Sequence, residues 1–496
     1  MTKGAMPLHP TLELKALDEA TEKIDAIARN FNLDFYDMYF EICPADIIYS
    51  FGAYGMPTRF SHWTFGKAYH KMKTQYDYNL SRIYEMVINS DPCYAFLLEG
   101  NSLVQNKMVI AHVLAHNDFF KNNHYFKRTT KKMVESMSTA ANRIREYEFK
   151  YGRDRVESFL DSAIAVQEHV DPQHYISSGV KKPEGPEKHC CSGGKCSPGQ
   201  CGNKHDQGTT PYDDLWELDQ KECTGKCGGG EQQREKKFPR QPEKDLLLFM
   251  MEHARDLEEW QRDILSIIRE EMLYFWPQMQ TKVMNEGWAT YWHMRIIREL
   301  DLTGDEAVEF AKMHAGVIHP SRYTLNPYLL GLKIFEDIEK RWDNPSDEER
   351  VKFDRKGNEG KNKILEVRES ENDISFIRNY LTRELIDDLD LYLYKKVGHE
   401  WKVVDKDWEK VRDGLVRNLY NCGYPHIVVE NGDFGKRGEI YLKHIHEGMD
   451  LDVFYLEKTL PHVFKIWGRP VHMETAVDGK EVLFSYNGEK VSKKFI

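Results

Sequence analysis

Leu14, Leu17, Ala20, Ile24, Ile27 and Ala28 recur three and four positions apart, the spacing that lines one face of an amphipathic helix, and Met133, Met137, Ala140, Ile144 and Tyr147 repeat it. From residue 244 to 275 the same pattern runs for many turns, and Pro277 is expected to end it. Most of the first 400 residues read as helix. Two stretches break the pattern. Residues 178–243 are rich in Gly, Pro, Cys and Lys and nearly free of aliphatics, which reads as an insertion or long surface loop because such a segment cannot bury a core. Residues 343–363 form a second polar loop.

Beyond residue 400 the period shortens. HIVVENGDFGKRGEIYLKHIH reads as two strands around a Gly-containing loop, and METAVDGKEVLFSYNGEKVSKK as short strand runs broken by the hairpin dipeptides DG and NG, with the helical MDLDVFYLEKTLPHVFKIW between them. The predicted fold is therefore mainly α, and α+β overall. A large helical domain spans 1–400 and carries the insertion at 178–243, and a small α+β unit spans 401–496.

Length and composition add bounds. A chain of 496 residues suggests about three domain-sized units, and two is the working count where helical cores merge. At 41% hydrophobic and 12% aromatic, it holds too much apolar material for a disordered chain. The net charge of −11 is spread over interspersed acids and bases, which leaves no footprint for a nucleic acid partner. The N-terminal region turns polar where a signal peptide needs an apolar stretch, and no run approaches a membrane span, so a cytoplasmic location is expected.

The chemistry-bearing residues are few. His112 and His116, one helical turn apart, can direct two imidazoles at one ion. The zincin pattern H-E-x-x-H has a glutamate after the first histidine, and here that position is Val113. Alone, the pair reads first as a buried polar pair serving helix packing. Far downstream, MNEGWATYWH sets Glu286 and His293 seven residues apart, two turns along one helix face. NEGWATY is similar to the helix of gluzincin aminopeptidases whose glutamate is the third zinc ligand. That resemblance implies zinc at His112, His116 and Glu286.

A wider resemblance covers nearly the whole chain. EICPADIIYSFGAYGMPTRFSHWTFGKAYHK, SDPCYAFLLEGNSLVQNKMVIAHVLAHNDFFKNN, MVESMSTAANRI and LNPYLLGLKIFEDIEKRW, in this order, resemble the SpoVR family, the stage V sporulation protein R type. The resemblance implies a cytosolic bacterial protein associated with spore cortex formation and, in non-sporulating relatives, with a PrkA-type serine protein kinase. It implies no settled reaction. The cysteine-rich stretch departs from the family's shorter loop, so no family role carries onto it.

A hydrolase without the usual glutamate needs another proton acceptor within reach of the water. Asn117 cannot serve, and Asp118 lies about 200° round the helix from His116. Glu99 and His293 are the candidates, with the alternative that either only orients a ligand; His293 is also a candidate fourth ligand. PTRFSHWTFGKAYHK supplies Arg59, His62 and His70 for a substrate-binding wall, or else is the start of an amphipathic helix whose aromatics are core. HPSRYTLNPYLLG offers Arg322 for substrate and Tyr323 and Tyr328 for an oxyanion, while Asn326 followed by Pro327 reads as a helix cap. His444 and His446 alternate along a strand and read as surface or interface residues.

Of nine cysteines, six fall between Cys190 and Cys227, spaced C-C-x4-C-x4-C and C-x3-C, which permits a second zinc or an Fe–S cluster but reads first as a thiol-bearing loop. Three functional expectations follow. The first is a zinc-dependent hydrolase of an amide or peptide-like bond in a cell-wall-related substrate such as a peptidoglycan precursor. The second is a regulatory or scaffold protein with a structural metal, linked to sporulation or stress signalling. The third is a non-haem iron centre, since two histidines and a carboxylate also suit redox chemistry.

Overall fold

Two helices that are apolar on nearly every side make the centre of the molecule. In this computed structural model, which describes residues 10–78, 80, 83–174, 238–321, 324–397 and 400–496, the first is Leu103–Asn122, the histidine helix. Ser102 starts it: its hydroxyl accepts from the Gln105 amide while the Gln105 side chain accepts from the Ser102 amide. From Met108 through Phe120 the helix keeps no solvent face, so it sits inside.

The second, Lys282–Arg298, is the glutamate helix, buried from Val283 to Ile297 on most of its circumference. Its first turn is held from outside. The carboxylate of Asp373, on helix Asp373–Tyr380, accepts from the amides of Val283 and Met284 at 2.9 Å each. Helix Pro327–Asp343 crosses it so closely that a Cβ added to Gly287 would fall on the backbone of Gly331, and one added to Gly331 on the carbonyl of Val283. Ile24, Val109, Trp288, Phe335 and Phe376 join these helices in one apolar cluster, which also takes in Val411 and Val416 of helix Trp408–Leu419.

Asp118 turns away from His116, as its angular position predicts. It is wholly buried, with Arg368 Nη1 2.9 Å from both carboxylate oxygens, Trp288 Nε1 donating at 2.9 Å and the Asp34 amide at 2.8 Å. Burial pushes its carboxyl up to about 6 against the pull of Arg368. This ion pair ties the histidine and glutamate helices to helix Gly360–Ser370.

Three details depart from the sequence expectation. The N-terminal part holds a sheet of β1 (Met38–Cys43), β2 (Glu85–Ile88) and β3 (Cys93–Leu98) in the order β1-β3-β2, with β1 parallel and β2 antiparallel to β3. Runs of four to six residues are too short to show a period, and β3 is buried along nearly its whole length, so it reads as an undifferentiated apolar run. Further on, the stretch expected as one helix is two, Leu246–His253 and Glu259–Gln280. Pro277 lies inside the second and does not end it; the Pro277 carbonyl still accepts from the Thr281 hydroxyl at 2.7 Å. The polar stretch 343–363 is interrupted by a short helix, Asp347–Phe353, which Ser346 caps by accepting from the Glu349 amide.

Toward the C-terminal end, β4 (Leu393–Val397) and β5 (Glu400–Asp405) pair as an antiparallel hairpin. Beyond it, β6 (Ile427–Phe434), β7 (Glu439–His444), β8 (Val471–Val477), β9 (Lys480–Tyr486) and β10 (Val491–Phe495) form a sheet in the order β10-β9-β8-β7-β6. Helix Val453–Trp467 makes the crossover that the parallel pair β7 and β8 requires. The DG dipeptide turns between β8 and β9 with φ of 51° at Asp478 and 75° at Gly479, the left-handed pair of a tight hairpin. Val429, Leu442 and Phe484 of this sheet share one apolar cluster with Phe159 and Ile264 of the helical part. Among the described residues, no helix is long and apolar enough to cross a membrane.

The crossing at Gly287 gives a direct test. Gly287→Ala is expected to destabilise the protein by about 1–3 kcal/mol through overpacking. Gly316→Ala, in helix Gly304–Val317 with open space around it, is expected to be neutral or to stabilise by about 0.5–1 kcal/mol. Thermal unfolding midpoints of the two variants check this.

Candidate metal centre

The histidine and glutamate helices bring three side chains from distant parts of the sequence to one point. His112, His116 and Glu286 each offer a ligand atom, and these atoms lie within 4.8 Å of one another. His116 Nε2 is 3.5 Å and His112 Nε2 3.8 Å from Glu286 Oε2. A tetrahedral ion with bonds of 2.0–2.1 Å separates its ligand atoms by about 3.3 Å, so small adjustments close the set around an ion.

The protonation states suit that use. His116 Nδ1 lies 2.8 Å from Asn285 Oδ1, an acceptor, so Nδ1 carries the proton and Nε2 presents a lone pair toward Glu286. Burial lowers the His116 pKa to about 4, with His112 adding to the effect, so the ring is neutral at ordinary pH. Burial pushes the Glu286 carboxyl up, but His112, then His116 and Lys282, outweigh it and hold the group below its ordinary value. Glu286 Oε2 is buried with no hydrogen-bond partner. An ionised oxygen facing the lone pair of His116 Nε2 is costly. A cation between them removes that cost, and the donor set of two imidazoles and one carboxylate fits zinc or a similar divalent ion.

Behind the ligands stands a supporting layer. His112 Nδ1 shares a 2.9 Å hydrogen bond with His293 Nδ1, and His293 Nε2 shares one of 3.0 Å with His314 Nδ1. His293 is wholly buried, and burial followed by the neighbouring imidazoles holds its pKa well below the usual value. It therefore orients His112 from the side away from Glu286. Tyr328 lies over His112 with ring centroids 6.1 Å apart. Burial, then the charges of Glu286 and Glu85, raise its phenol, which stays protonated and able to donate.

Other expected site residues fall elsewhere. Glu99 is exposed in the turn after β3, whereas His112 and His116 are buried and Glu286 is half-buried. Arg59 pairs with buried Glu271 at 2.6 Å, donates to the Tyr54 carbonyl at 3.0 Å and covers the Phe65 ring, so its guanidinium is spent on the fold. His62 is the N-cap of helix Trp63–Asp77 and lies 3.1 Å from Asp161. His70 is exposed with its ring edge-on to Tyr69. This segment matches the amphipathic-helix reading. Asn326 caps helix Pro327–Asp343 by accepting from the Tyr328 and Leu329 amides. His444 is buried against Thr475 at 2.9 Å, a correction to its surface reading, while His446 pairs with Asp450 at 2.7 Å. Arg322, Tyr323 and the cluster Cys190–Cys227 lie outside the described residues.

Several site residues escaped the spacing argument. Asn285 sits beside Glu286 in the motif itself, but nothing in a sequence says which way an amide points. His314 comes from a helix with no buried residue, and Glu85 from a four-residue strand. A second group, Asp171, His174 and Glu243, also gathers ligand atoms within 4.8 Å. Its carboxylates are already engaged: Glu243 Oε1 accepts from the Asp245 amide and Asp171 Oδ1 from the Gln173 amide, each at 3.0 Å.

Comparison with known proteins agrees with the resemblance along the chain. The family described as SpoVR like protein matches residues 11–424, and the SpoVR-like C-terminal domain matches residues 425–478. The chain is 31% identical over 494 residues to the Escherichia coli (strain K12) protein named "Uncharacterized protein YcgB", covering 94% of this chain and 92% of that one. No solved structure matches.

Protein loaded with zinc and freed of excess is expected to hold one ion at this centre, and His112→Ala and Glu286→Ala to lose it. His293→Phe, which removes only the orienting bond, is expected to weaken affinity about 10–100-fold without abolishing binding. Elemental analysis and competition with a chromogenic chelator measure both.

Proposed function

The chain belongs to the SpoVR-like family, and on that premise we propose that it is a zinc-dependent hydrolase of an amide or peptide-like bond in a cell-wall-related substrate. The observation that carries the proposal is the triad His112, His116 and Glu286 with its buried, unpartnered Glu286 Oε2. Three protein ligands, two imidazoles and one carboxylate, are the set a hydrolytic zinc uses when one position is left for water. When bound, such an ion polarises a carbonyl and lowers the pKa of water toward about 7.

The chain's own residues supply the rest. Asn285 sets the tautomer of His116, and His293 meets the Nδ1 edge of His112, so that both Nε2 atoms are directed at Glu286. Tyr328, kept protonated beside Glu286, donates a hydrogen bond to the oxygen on which charge develops during acyl transfer. The cell-wall substrate class comes from the cortex association that the family resemblance implies, as does the link to a PrkA-type kinase. No residue of the centre specifies either.

The same donor set favours a second reading, since two histidines and one carboxylate also bind the iron of non-haem oxygenases. Metal identity and chelator sensitivity separate the two. Zinc-loaded protein incubated with stem-peptide fragments of peptidoglycan is expected to release new amino groups. Dialysis against a chelator is expected to stop the release, zinc to restore it, and His116→Ala to be inactive at either stage. Iron as the native metal, with oxygen uptake and no amine release, contradicts the hydrolase account.

A further inference from the structure

Val113 leaves the centre without the glutamate that a zincin helix carries, and its side chain is wholly buried in the apolar cluster. A carboxylate reaches the site from the opposite direction. In β2, Glu85 stands across from Leu97 of β3, and Val87 across from Ala95. Residues directly opposite share a face of a sheet, and neighbours along a strand alternate. Met86, Ile88, Phe96 and Leu98 therefore form one face, and they pack with Ile48 and Tyr274. Val87, Ala95 and Leu97 form the other, and they pack in the same cluster as Val109 and Val113 of the histidine helix. Glu85 is the polar member of that helix-facing row.

Its surroundings match this placement. Strand β2 packs against the histidine helix, and the charges of His112 and Glu286 act on Glu85, as that of Glu85 acts on Tyr328. Glu85 does not join the group whose ligand atoms all lie within 4.8 Å. Ligand atoms around one tetrahedral ion sit about 3.3 Å apart, so Glu85 stands outside direct ligation of such an ion.

We propose that Glu85 is the proton-accepting carboxylate of the centre, delivered by a sheet edge in place of the glutamate that Val113 replaces. This rests on the hydrolase reading. Amide hydrolysis adds water across the C–N bond. The water oxygen bonds to the carbonyl carbon, Glu85 takes one proton from that water, and the proton passes to the leaving nitrogen as the C–N bond breaks, so that one carboxylic acid and one amine result.

Glu85→Gln keeps the shape and removes the basicity. Zinc content is expected to stay at the wild-type level, the thermal midpoint to be unchanged and hydrolysis to fall about 10²–10⁴-fold. A second readout does not depend on turnover. Acetohydroxamate, titrated into zinc-loaded protein, offers N–H and O–H donors to a carboxylate beside the ion. Its affinity is expected to fall about tenfold or more in Glu85→Gln, with Glu85→Asp in between. Equal acetohydroxamate affinity in wild type and Glu85→Gln, no binding to zinc-loaded wild type, or loss of zinc from Glu85→Gln each overturns the proposal. Wild-type protein that binds acetohydroxamate in a Glu85-dependent way yet hydrolyses nothing removes the hydrolase reading while leaving Glu85 in its place.

Discussion

The centre depends on how closely the glutamate helix approaches its two neighbours. Gly287 and Gly331 let it touch helix Pro327–Asp343 backbone to backbone, and Glu286, next to that contact, projects toward the histidine helix instead. The crossing fixes the depth of the helix, and the Asp373 carboxylate at its first turn fixes where it starts. With both set, Glu286 Oε2 has little freedom in where it meets His116 and His112. A rigid apolar scaffold holding a few polar groups to within fractions of an ångström is what a preorganised site requires.

Placing so many polar groups in an apolar interior is expensive unless each has a partner. The interior meets that demand in two ways. On one side of the histidine helix, Asp118 is satisfied entirely by Arg368, Trp288 and the Asp34 amide, a closed arrangement with no role left over. On the other side, His112 and His116 find partners at Nδ1 in His293 and Asn285, their Nε2 atoms face Glu286, and Glu286 Oε2 is buried with no hydrogen-bond partner. The contrast between a completed buried pair and an incomplete one, two residues apart on the same helix, distinguishes a structural polar group from one built to receive something.

Much of this was legible in the sequence, for physical reasons that differ from residue to residue. The i, i+4 histidines carry their geometry in their spacing, because helix periodicity converts separation into direction, while Glu286 was pointed to by the resemblance of NEGWATY and not by spacing. The Asn326–Pro327 cap and the DG hairpin are local rules, and local rules survive folding. What could not be read depends on tertiary pairing. Strands as short as β2 show no period, so neither the sheet nor the helix-facing side of Glu85 was visible. Arg59 and His62 read as available for a ligand, but their partners Glu271 and Asp161 lie 212 and 99 residues away. His293 sits on the predicted face, yet only the fold reveals that it meets the back of His112 and not the front of the site.

X-ray absorption at the zinc edge of the loaded protein, compared with Glu286→Ala, measures the central claim most directly, because it reads ligand type and distance without assuming a reaction. The account predicts a shell of nitrogen and oxygen at about 2.0–2.2 Å with imidazole outer scattering, losing one oxygen or the metal itself in the variant. A shell dominated by sulfur at about 2.3 Å, unchanged by Glu286→Ala, would place the metal on cysteines and contradict it.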